Sequence, residues 1–168
     1  MVKIEDLKRI SLLKEFPEHL LDILAREAQV SIFGADTQLI SVDRPVDQFY
    51  MLIMGQVAKK RNLSPKIDVI LDYIQSGSFF GTAVFFPGNA SFYTAVCQEP
   101  CEIITLSAAS IERLFAQNAE LGYRIMFGIS KQYKRNMDSR AQMIMKTLGK
   151  KPDLKDHIKD METLTLTI

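Results

Sequence analysis

Between Val30 and Leu106 the chain alternates short runs rich in Val, Ile, Phe and Tyr with turn-forming residues, and this alternation constrains the fold more than any other feature. The runs predict strands at Val30–Phe33, Thr37–Ser41, Gln48–Ile53, Gln56–Arg61, Asp68–Ile74, Ser78–Phe80, Tyr93–Gln98 and Cys101–Leu106. About eight short strands at regular spacing are typical of a β-sandwich or a jelly roll.

The segments on either side of these strands have helical periodicity. Residues 4–29 predict two helices separated at Pro17, because proline and acidic residues are favoured in the first turn of a helix. Ser107 is predicted to cap a short helix that follows the last strand. Asn118 is predicted to cap a longer helix that runs to Leu148.

The sequence therefore predicts one mainly β domain with flanking α-helices, a double-stranded β-helix or jelly roll, over residues 1–149. Its helices span 4–29 and 107–148, its β-roll spans 30–106, and a charged tail occupies 150–168. A chain of 168 residues, of which 47% are apolar, is long enough to bury one compact core.

The charge balance and the N-terminus exclude several classes of protein. A net charge of +1 argues against a general polyanion binder. No apolar run approaches the length of a membrane span, and the N-terminus lacks the apolar core of a signal peptide. We therefore predict a cytoplasmic protein that does not bind membranes.

The cysteines and histidines do not form a recognisable metal site. Cys97 and Cys101 are spaced C-x3-C, while His19 and His157 lie outside the predicted roll. A zinc site needs three or four ligands, and a metalloenzyme built on a roll needs clustered histidines and carboxylates. We interpret the cysteines as small apolar residues near a strand, and predict no metal site and no enzyme. Haem or gas sensing, with these cysteines and the methionines as iron ligands, is an alternative.

The segment Gly77–Val96, GSFFGTAVFFPGNASFYTAV, has the layout of an anion-binding loop. It contains Gly-x-x-Phe-Gly, an apolar stretch, a Pro-Gly-Asn turn and a Thr-Ala-Val strand. The backbone N–H groups of Gly81, Thr82 and Ala83 can face an anion in such a loop. No lysine or arginine lies between Thr82 and Val96, so the loop itself offers no counter-charge.

Three stretches give the chain a resemblance to the cyclic nucleotide-binding domain family, which includes the effector half of the catabolite activator protein and the regulatory subunits of protein kinase A. Leu39–Val57 resembles the family's strand, turn, Asp-x-Phe-Tyr strand and Gly-x-Val turn. GSFFGTAVFF and SFYTAV resemble Gly-Asp-x-Phe-Gly-Glu and Arg-x-Ala-x-Val. The resemblance covers Leu7 to Leu148, and implies a non-enzymatic regulatory or sensor protein whose ligand repositions the long C-terminal helix.

The resemblance also implies site residues, several of which differ here from the family pattern. In the family, a glutamate grips the ribose 2′-hydroxyl and an arginine neutralises the cyclic phosphate; Thr82 and Phe92 hold these positions. Asp43 replaces a turn glycine, and Asn136 takes the place of a threonine that contacts adenine. The candidate pocket comprises Phe80, Gly81, Thr82, Ala83, Phe92, Tyr93, Thr94, Lys59, Leu71, Ile74 and Asn136.

The missing charges predict that cyclic AMP is not bound tightly in the family's usual way. A lost charge-assisted hydrogen bond costs about 1.5–3 kcal/mol, so two lost anchors predict binding weaker by about 10²–10⁴-fold. Either Phe86, Phe92 and Tyr93 fill the pocket, or the pocket takes a different, less charged ligand. Lys59, on the strand that borders the base, is the cation expected nearby. A cyclic nucleotide or another small ligand, weakly bound, is the only cofactor expected.

The long helix repeats residues with the 3-4 spacing of a heptad seam. The equivalent helix of the family forms a parallel dimer, and we predict a homodimer in which Asn136 sets the register. The predicted seam residues are Met126, Ile129, Tyr133, Asn136, Arg140 and Met143. Residues 131–151 are strongly basic, which we interpret as a solvated face rather than a nucleic-acid surface.

About twenty residues follow the long helix, which is too few for the helix-turn-helix of the family's DNA-binding members. We therefore predict that this chain carries no DNA-binding motif. Two alternatives to the sensor remain open. One is a degenerate domain that only dimerises and recruits a protein partner. The other is the effector domain of a transcription regulator that lacks its helix-turn-helix.

Overall fold

The computed structural model describes residues 2–64, 67–86, 88 and 90–149. The predicted tail at 150–168, which includes His157, lies outside these residues. The helices are α1 (Ile4–Lys8), α2 (Glu18–Glu27), α3 (Ala108–Gln117), α4 (Ala119–Gly149) and a 3₁₀ helix (Thr82–Phe85). The strands are β1 (Gln29–Phe33), β2 (Gln38–Ile40), β3 (Gln48–Met54), β4 (Gln56–Ser64), β5 (Ile67–Gln75), β6 (Phe79–Phe80), β7 (Thr94–Cys97) and β8 (Cys101–Ser107).

The strands form two four-stranded antiparallel sheets, in the orders β1-β8-β3-β6 and β2-β7-β4-β5. Consecutive strands alternate between the sheets in places, as in a jelly roll. Both sheets contribute to one apolar core, which confirms the predicted fold class. Its buried members are Ile40, Tyr50, Leu52, Val57, Ile74, Phe80, Ala95, Cys97, Cys101 and Ile103.

All eight predicted strands are present, and their ends differ from the predictions by at most three residues. The largest difference is at the end of β4, which continues to Ser64 because it pairs with β5 as far as Ile67. The 3₁₀ helix after Gly81 was not predicted. Its four residues are too few to show a helical period in the sequence.

The helix predictions are confirmed in part. Ser107 caps α3 by accepting a hydrogen bond from the Ser110 amide at 3.1 Å. Asn118 caps α4 through its side-chain oxygen, which accepts from the Leu121 amide at 2.9 Å. The predicted length of the first helix is wrong, because the helix ends at Lys8 and turns follow it.

The chain divides into two compact units, residues 1–126 and a second unit that begins at Phe127, so the boundary falls within α4. The first unit contains both sheets, α1, α2 and α3. Among the helices of the described residues, none has the length and apolar character that crossing a bilayer requires.

Candidate anion-binding site

The candidate site begins where β6 ends and the 3₁₀ helix starts. Phe80 is buried, and its ring stacks on Tyr50 with the centroids 4.8 Å apart and the planes 9° from parallel. Gly81 follows with φ of +76°, in the left-handed region. A β-carbon on Gly81 would lie 2.7 Å from the Gln48 carbonyl oxygen, so this turn requires glycine.

The side chain of Tyr93 lies against this turn. Its hydroxyl oxygen accepts a long hydrogen bond, 3.4 Å, from the backbone N–H of Gly81. The buried Ser91 hydroxyl holds the Tyr93 backbone, donating to its carbonyl at 2.7 Å and accepting from its amide at 3.3 Å. The ammonium of Lys59, on β4, lies 5.1 Å from the centroid of the Tyr93 ring. The first backbone donor of the predicted loop therefore already has a partner within the protein.

The Phe92 side chain is 66% exposed. The guanidinium of Arg61, also on β4, lies 4.1 Å above its ring centroid. The same guanidinium donates a hydrogen bond to the Phe92 carbonyl oxygen and lies 3.7 Å from the carboxylate of Asp43. Arg61 thus joins β4, the Phe92 backbone and the turn after β2.

That turn is held against the Phe92 segment by backbone hydrogen bonds. Asp43, with φ of +59°, donates from its amide to the Ser91 carbonyl at 2.8 Å. The Ser91 amide donates to the Arg44 carbonyl at 2.8 Å, and the Val42 amide donates to the Thr94 hydroxyl at 3.1 Å. Aspartate is a residue type that tolerates this left-handed backbone conformation.

Charge in this region comes from side chains on strands and turns rather than from the loop. Lys59 and Arg61 are cationic, and Asp43 is the acidic group paired with Arg61. Burial raises the pKa of the Tyr50 hydroxyl to about 12, with smaller contributions from Asp47 and Tyr93. Tyr50 is therefore neutral at physiological pH, and its hydroxyl donates to the Leu39 carbonyl at 3.0 Å.

The structure brings part of the predicted site together. Tyr93 contacts both Gly81 and Lys59, and Phe92 is the residue that precedes Tyr93 in the chain. Of the three proposed plugging rings, Phe86 and Phe92 are exposed, whereas the Tyr93 hydroxyl contacts the Gly81 amide. The remaining predicted residues differ in exposure.

Among those remaining residues, Thr82 and Ala83 are half-buried at the start of the 3₁₀ helix. Leu71 is 42% exposed, whereas Ile74 belongs to the core. Asn136 belongs to the unit that begins at Phe127, and its side-chain oxygen accepts from the Gln132 amide group at 2.9 Å.

Arg61 and its contact with Asp43 were missed in the sequence. A signal was present, because Arg61 is two residues from Lys59 on the same predicted strand, and alternate residues of a strand project to one face. The strand pairs with β7, where Lys60 lies opposite Thr94, so its end lies beside the Phe92 segment. That pairing is not evident from local sequence.

Cys97 and Cys101 are free and fully buried. Burial, and secondarily a hydrogen bond with Cys101, raises the pKa of the Cys97 thiol. Within the described part of the chain, no group of three or more histidine, cysteine, aspartate or glutamate side chains is arranged to hold a metal ion.

A two-sheet antiparallel roll followed by a long helix, with a glycine turn at the end of a short strand, is the fold that the family resemblance predicted. The model of the family described as cyclic nucleotide-binding domain matches residues 31–118, just over half of the chain. The chain therefore belongs to the cyclic nucleotide-binding domain family, which confirms the resemblance.

Two curated relatives are global regulators by name. The global nitrogen regulator of Nostoc sp. (strain PCC 7120 / SAG 25.82 / UTEX 2576) is 25% identical over 122 residues, which cover 71% of this chain and 52% of the relative. The cAMP-activated global transcriptional regulator CRP of Pasteurella multocida (strain Pm70) is 26% identical over 113 residues, covering 67% and 52%. The chain spans about half the length of these relatives.

Solved structures share the fold at low sequence identity. A cyclic nucleotide-binding domain from Methylobacillus flagellatus KT has a TM-score of 0.73 and 18% identity, with 86% of this chain and 81% of that chain covered. The regulatory subunit of a cAMP-independent protein kinase A from Trypanosoma brucei, a triple mutant bound to cAMP, has a TM-score of 0.69 and 15% identity, with 84% and 50% covered.

Proposed function

We propose that this chain is a non-enzymatic regulatory domain that does not bind cyclic AMP tightly in the manner usual for its family. Membership of the family supports the regulatory role. The contact between the Tyr93 hydroxyl and the Gly81 amide carries the proposal of weak binding. A ligand phosphate that took this amide would first have to displace the phenol.

The residues at the two family anchor positions support the same proposal. Thr82 carries no charge, and Phe92 is exposed beneath the Arg61 guanidinium. A buried phosphodiester without a paired charge has a desolvation penalty of several kcal/mol. Losing both charge-assisted anchors weakens binding by about 10²–10⁴-fold.

Isothermal titration with cyclic AMP and cyclic GMP tests the proposal. We expect dissociation constants weaker than micromolar for the native chain. The double variant Thr82→Glu/Phe92→Arg adds both charged anchors, and we expect it to bind cyclic AMP at least about tenfold more tightly. The matched variant Thr82→Gln/Phe92→Gln adds polar side chains without charge and is expected to bind like the native chain. A micromolar or tighter constant for the native chain would refute the proposal.

For signal output, we propose that α4 forms a homodimer through its exposed second half. Tyr133 is 47% exposed and Met143 is 67% exposed, whereas Ile129 is 1% exposed. Arg140 and Asn136 are also exposed, which places polar groups within the apolar seam. Ligand-dependent repositioning of this helix would be the regulatory step.

Light scattering at micromolar concentration tests the dimer. We expect a dimer for the native chain and a monomer for Met143→Glu, because a buried unpaired carboxylate destabilises the seam. Met145→Glu is the matched control, since Met145 is 70% exposed but lies off the seam, and it is expected to remain dimeric. A native chain that is monomeric throughout would contradict the proposed dimer.

Two alternatives account for a domain that binds no nucleotide. The chain could act only by dimerising and recruiting a protein partner, which the exposed Met137, Ile144 and Met145 support as an adaptable apolar surface. It could also act as the effector half of a longer transcription regulator, as its coverage of about half of two such regulators suggests. Retention of a dimer in a chain that binds no nucleotide would favour these alternatives over the sensor.

A further inference from the structure

We propose that β4 supplies the anion-binding cations of this site, Arg61 and Lys59, and that they take a small phosphate-bearing molecule at the Phe92–Tyr93 segment. This inference deepens the proposed function, because it concerns the same cassette. It assigns the positive charge to a strand rather than to the loop, which contains none.

Both cations contact the same dipeptide. The Arg61 guanidinium lies 4.1 Å above the Phe92 ring, and the Lys59 ammonium lies 5.1 Å from the centroid of the Tyr93 ring. Two charged groups on alternate residues of one strand therefore face neighbouring rings of one segment. The Cα atoms of these two residues are about 7 Å apart along the strand, and both side chains are long enough to converge on one anion.

The present partners of Arg61 leave it able to bind an anion. The guanidinium has five N–H donors in a planar fork, of which one is committed to the Phe92 carbonyl oxygen. Its pair with Asp43 is 3.7 Å long, and the Asp43 side chain is 76% exposed. A pair of that length, so exposed to solvent, contributes little and is readily exchanged for a ligand.

The chemistry of the two cations favours phosphate over a single carboxylate. A guanidinium fork matches two oxygens of a phosphate, and an ammonium adds a point charge. A phosphate group carries up to two negative charges, which matches the combined charge of Arg61 and Lys59. Asp43 acts as an internal competitor, since its carboxylate occupies the guanidinium in the absence of the anion.

Titration of the isotope-labelled chain with inorganic phosphate at constant ionic strength, followed by amide NMR shifts of Phe92 and Tyr93, tests this inference. We expect saturable binding with a dissociation constant of about 0.1–10 mM. Arg61→Gln is expected to weaken binding about tenfold, and Arg61→Lys to weaken it less, because lysine keeps the charge without the fork. Lys60→Gln is the matched control; it removes one charge from the same strand at a residue without a ring contact in the described structure, and should change binding less than twofold.

The most specific variant in this titration removes the Asp43 carboxylate, which competes with phosphate for Arg61. Asp43→Asn is expected to tighten phosphate binding about two- to fivefold, whereas a merely structural role for the Asp43–Arg61 pair predicts weaker binding or no change. Asp36→Asn is its control, because Asp36 also has a positive φ, 62°, and asparagine tolerates that conformation equally. No saturable response up to about 50 mM phosphate, or equal effects of Arg61→Gln and Lys60→Gln, would overturn the inference.

The proposal of weak cyclic AMP binding and the proposal of phosphate binding by Arg61 and Lys59 can be refuted independently. Tight binding of cyclic AMP by the native chain would refute the proposed weak binding, even with Arg61 as its anchor. Absence of any phosphate response would refute the role of Arg61 and Lys59, while leaving the regulatory proposal intact.

Discussion

A β-carbon placed on Gly81 would lie 2.8 Å from the Cδ2 atom of Tyr50, in a turn whose φ is +76°. The substitution Gly81→Ala therefore combines backbone strain with a clash against a buried ring. We expect it to lower the free energy of unfolding by about 2–4 kcal/mol, measured by urea denaturation. The Tyr93 contact with the Gly81 amide should be lost with it.

Gly88 is the control for this substitution, because its φ is +86° and a β-carbon placed there would meet nothing within 4 Å. Gly88→Ala should cost only the backbone strain, about 1–2 kcal/mol. Equal destabilisation by the two substitutions would show that the contact with Tyr50 does not constrain the turn.

Stability at alkaline pH should depend on Tyr50. The pKa of its buried hydroxyl is raised from 10.0 to about 12, so the folded state holds this proton more tightly than the unfolded state. The resulting stabilisation is fully present below pH 10 and is lost as the pH rises to about 12, with a total of about 3 kcal/mol. Tyr50→Phe should remove this dependence, measured as unfolding free energy against pH.

The control for that titration is Tyr73→Phe, since Tyr73 is 43% exposed. Its profile should parallel that of the native chain between pH 10 and 12. If Tyr50→Phe also parallels the native profile, burial of the Tyr50 hydroxyl is not the source of the alkaline instability.

The N-cap of α3 offers a local test of stability. Ser107→Ala removes the hydrogen bond to the Ser110 amide and should lower the free energy of unfolding by about 1 kcal/mol. Ser107→Asn retains an acceptor at the cap and should differ little from the native chain. An alanine variant as stable as the native chain would mean that another group satisfies this amide.

The two cysteines should resist thiol reagents while the chain is folded. Both are fully buried, and the raised pKa of Cys97 disfavours its reactive thiolate. We expect negligible labelling over minutes at about pH 8, and rapid labelling of both in denaturant. Fast labelling of the folded chain would show that the core opens near β7 and β8.

Most of the fold was predictable because its signals are local. The strands from Val30 to Leu106 show as runs of β-favouring residues between turns, and the caps at Ser107 and Asn118 lie within three residues of the amides that they accept from. The first helix was predicted too long. Ile10 and Leu13 keep helical spacing and are buried, but they lie in turns and not in a helix.

The candidate site was predictable in part. The glycine turn and the absence of charge from its loop follow from the sequence of Gly77–Val96. The cation at Phe92 was not predicted, because Arg61 reaches that residue through the pairing of β4 with β7. The same register determines that Lys59 faces Tyr93.

By itself the sequence determined which segments become strands and helices and where the helices are capped, because each depends on neighbours a few residues away. The tertiary structure alone decided that the Tyr93 hydroxyl meets the Gly81 amide, 12 residues away, and that Arg61 covers Phe92, 31 residues away. Such contacts depend on how strands align across a sheet, and that alignment is set by the packing of the whole core.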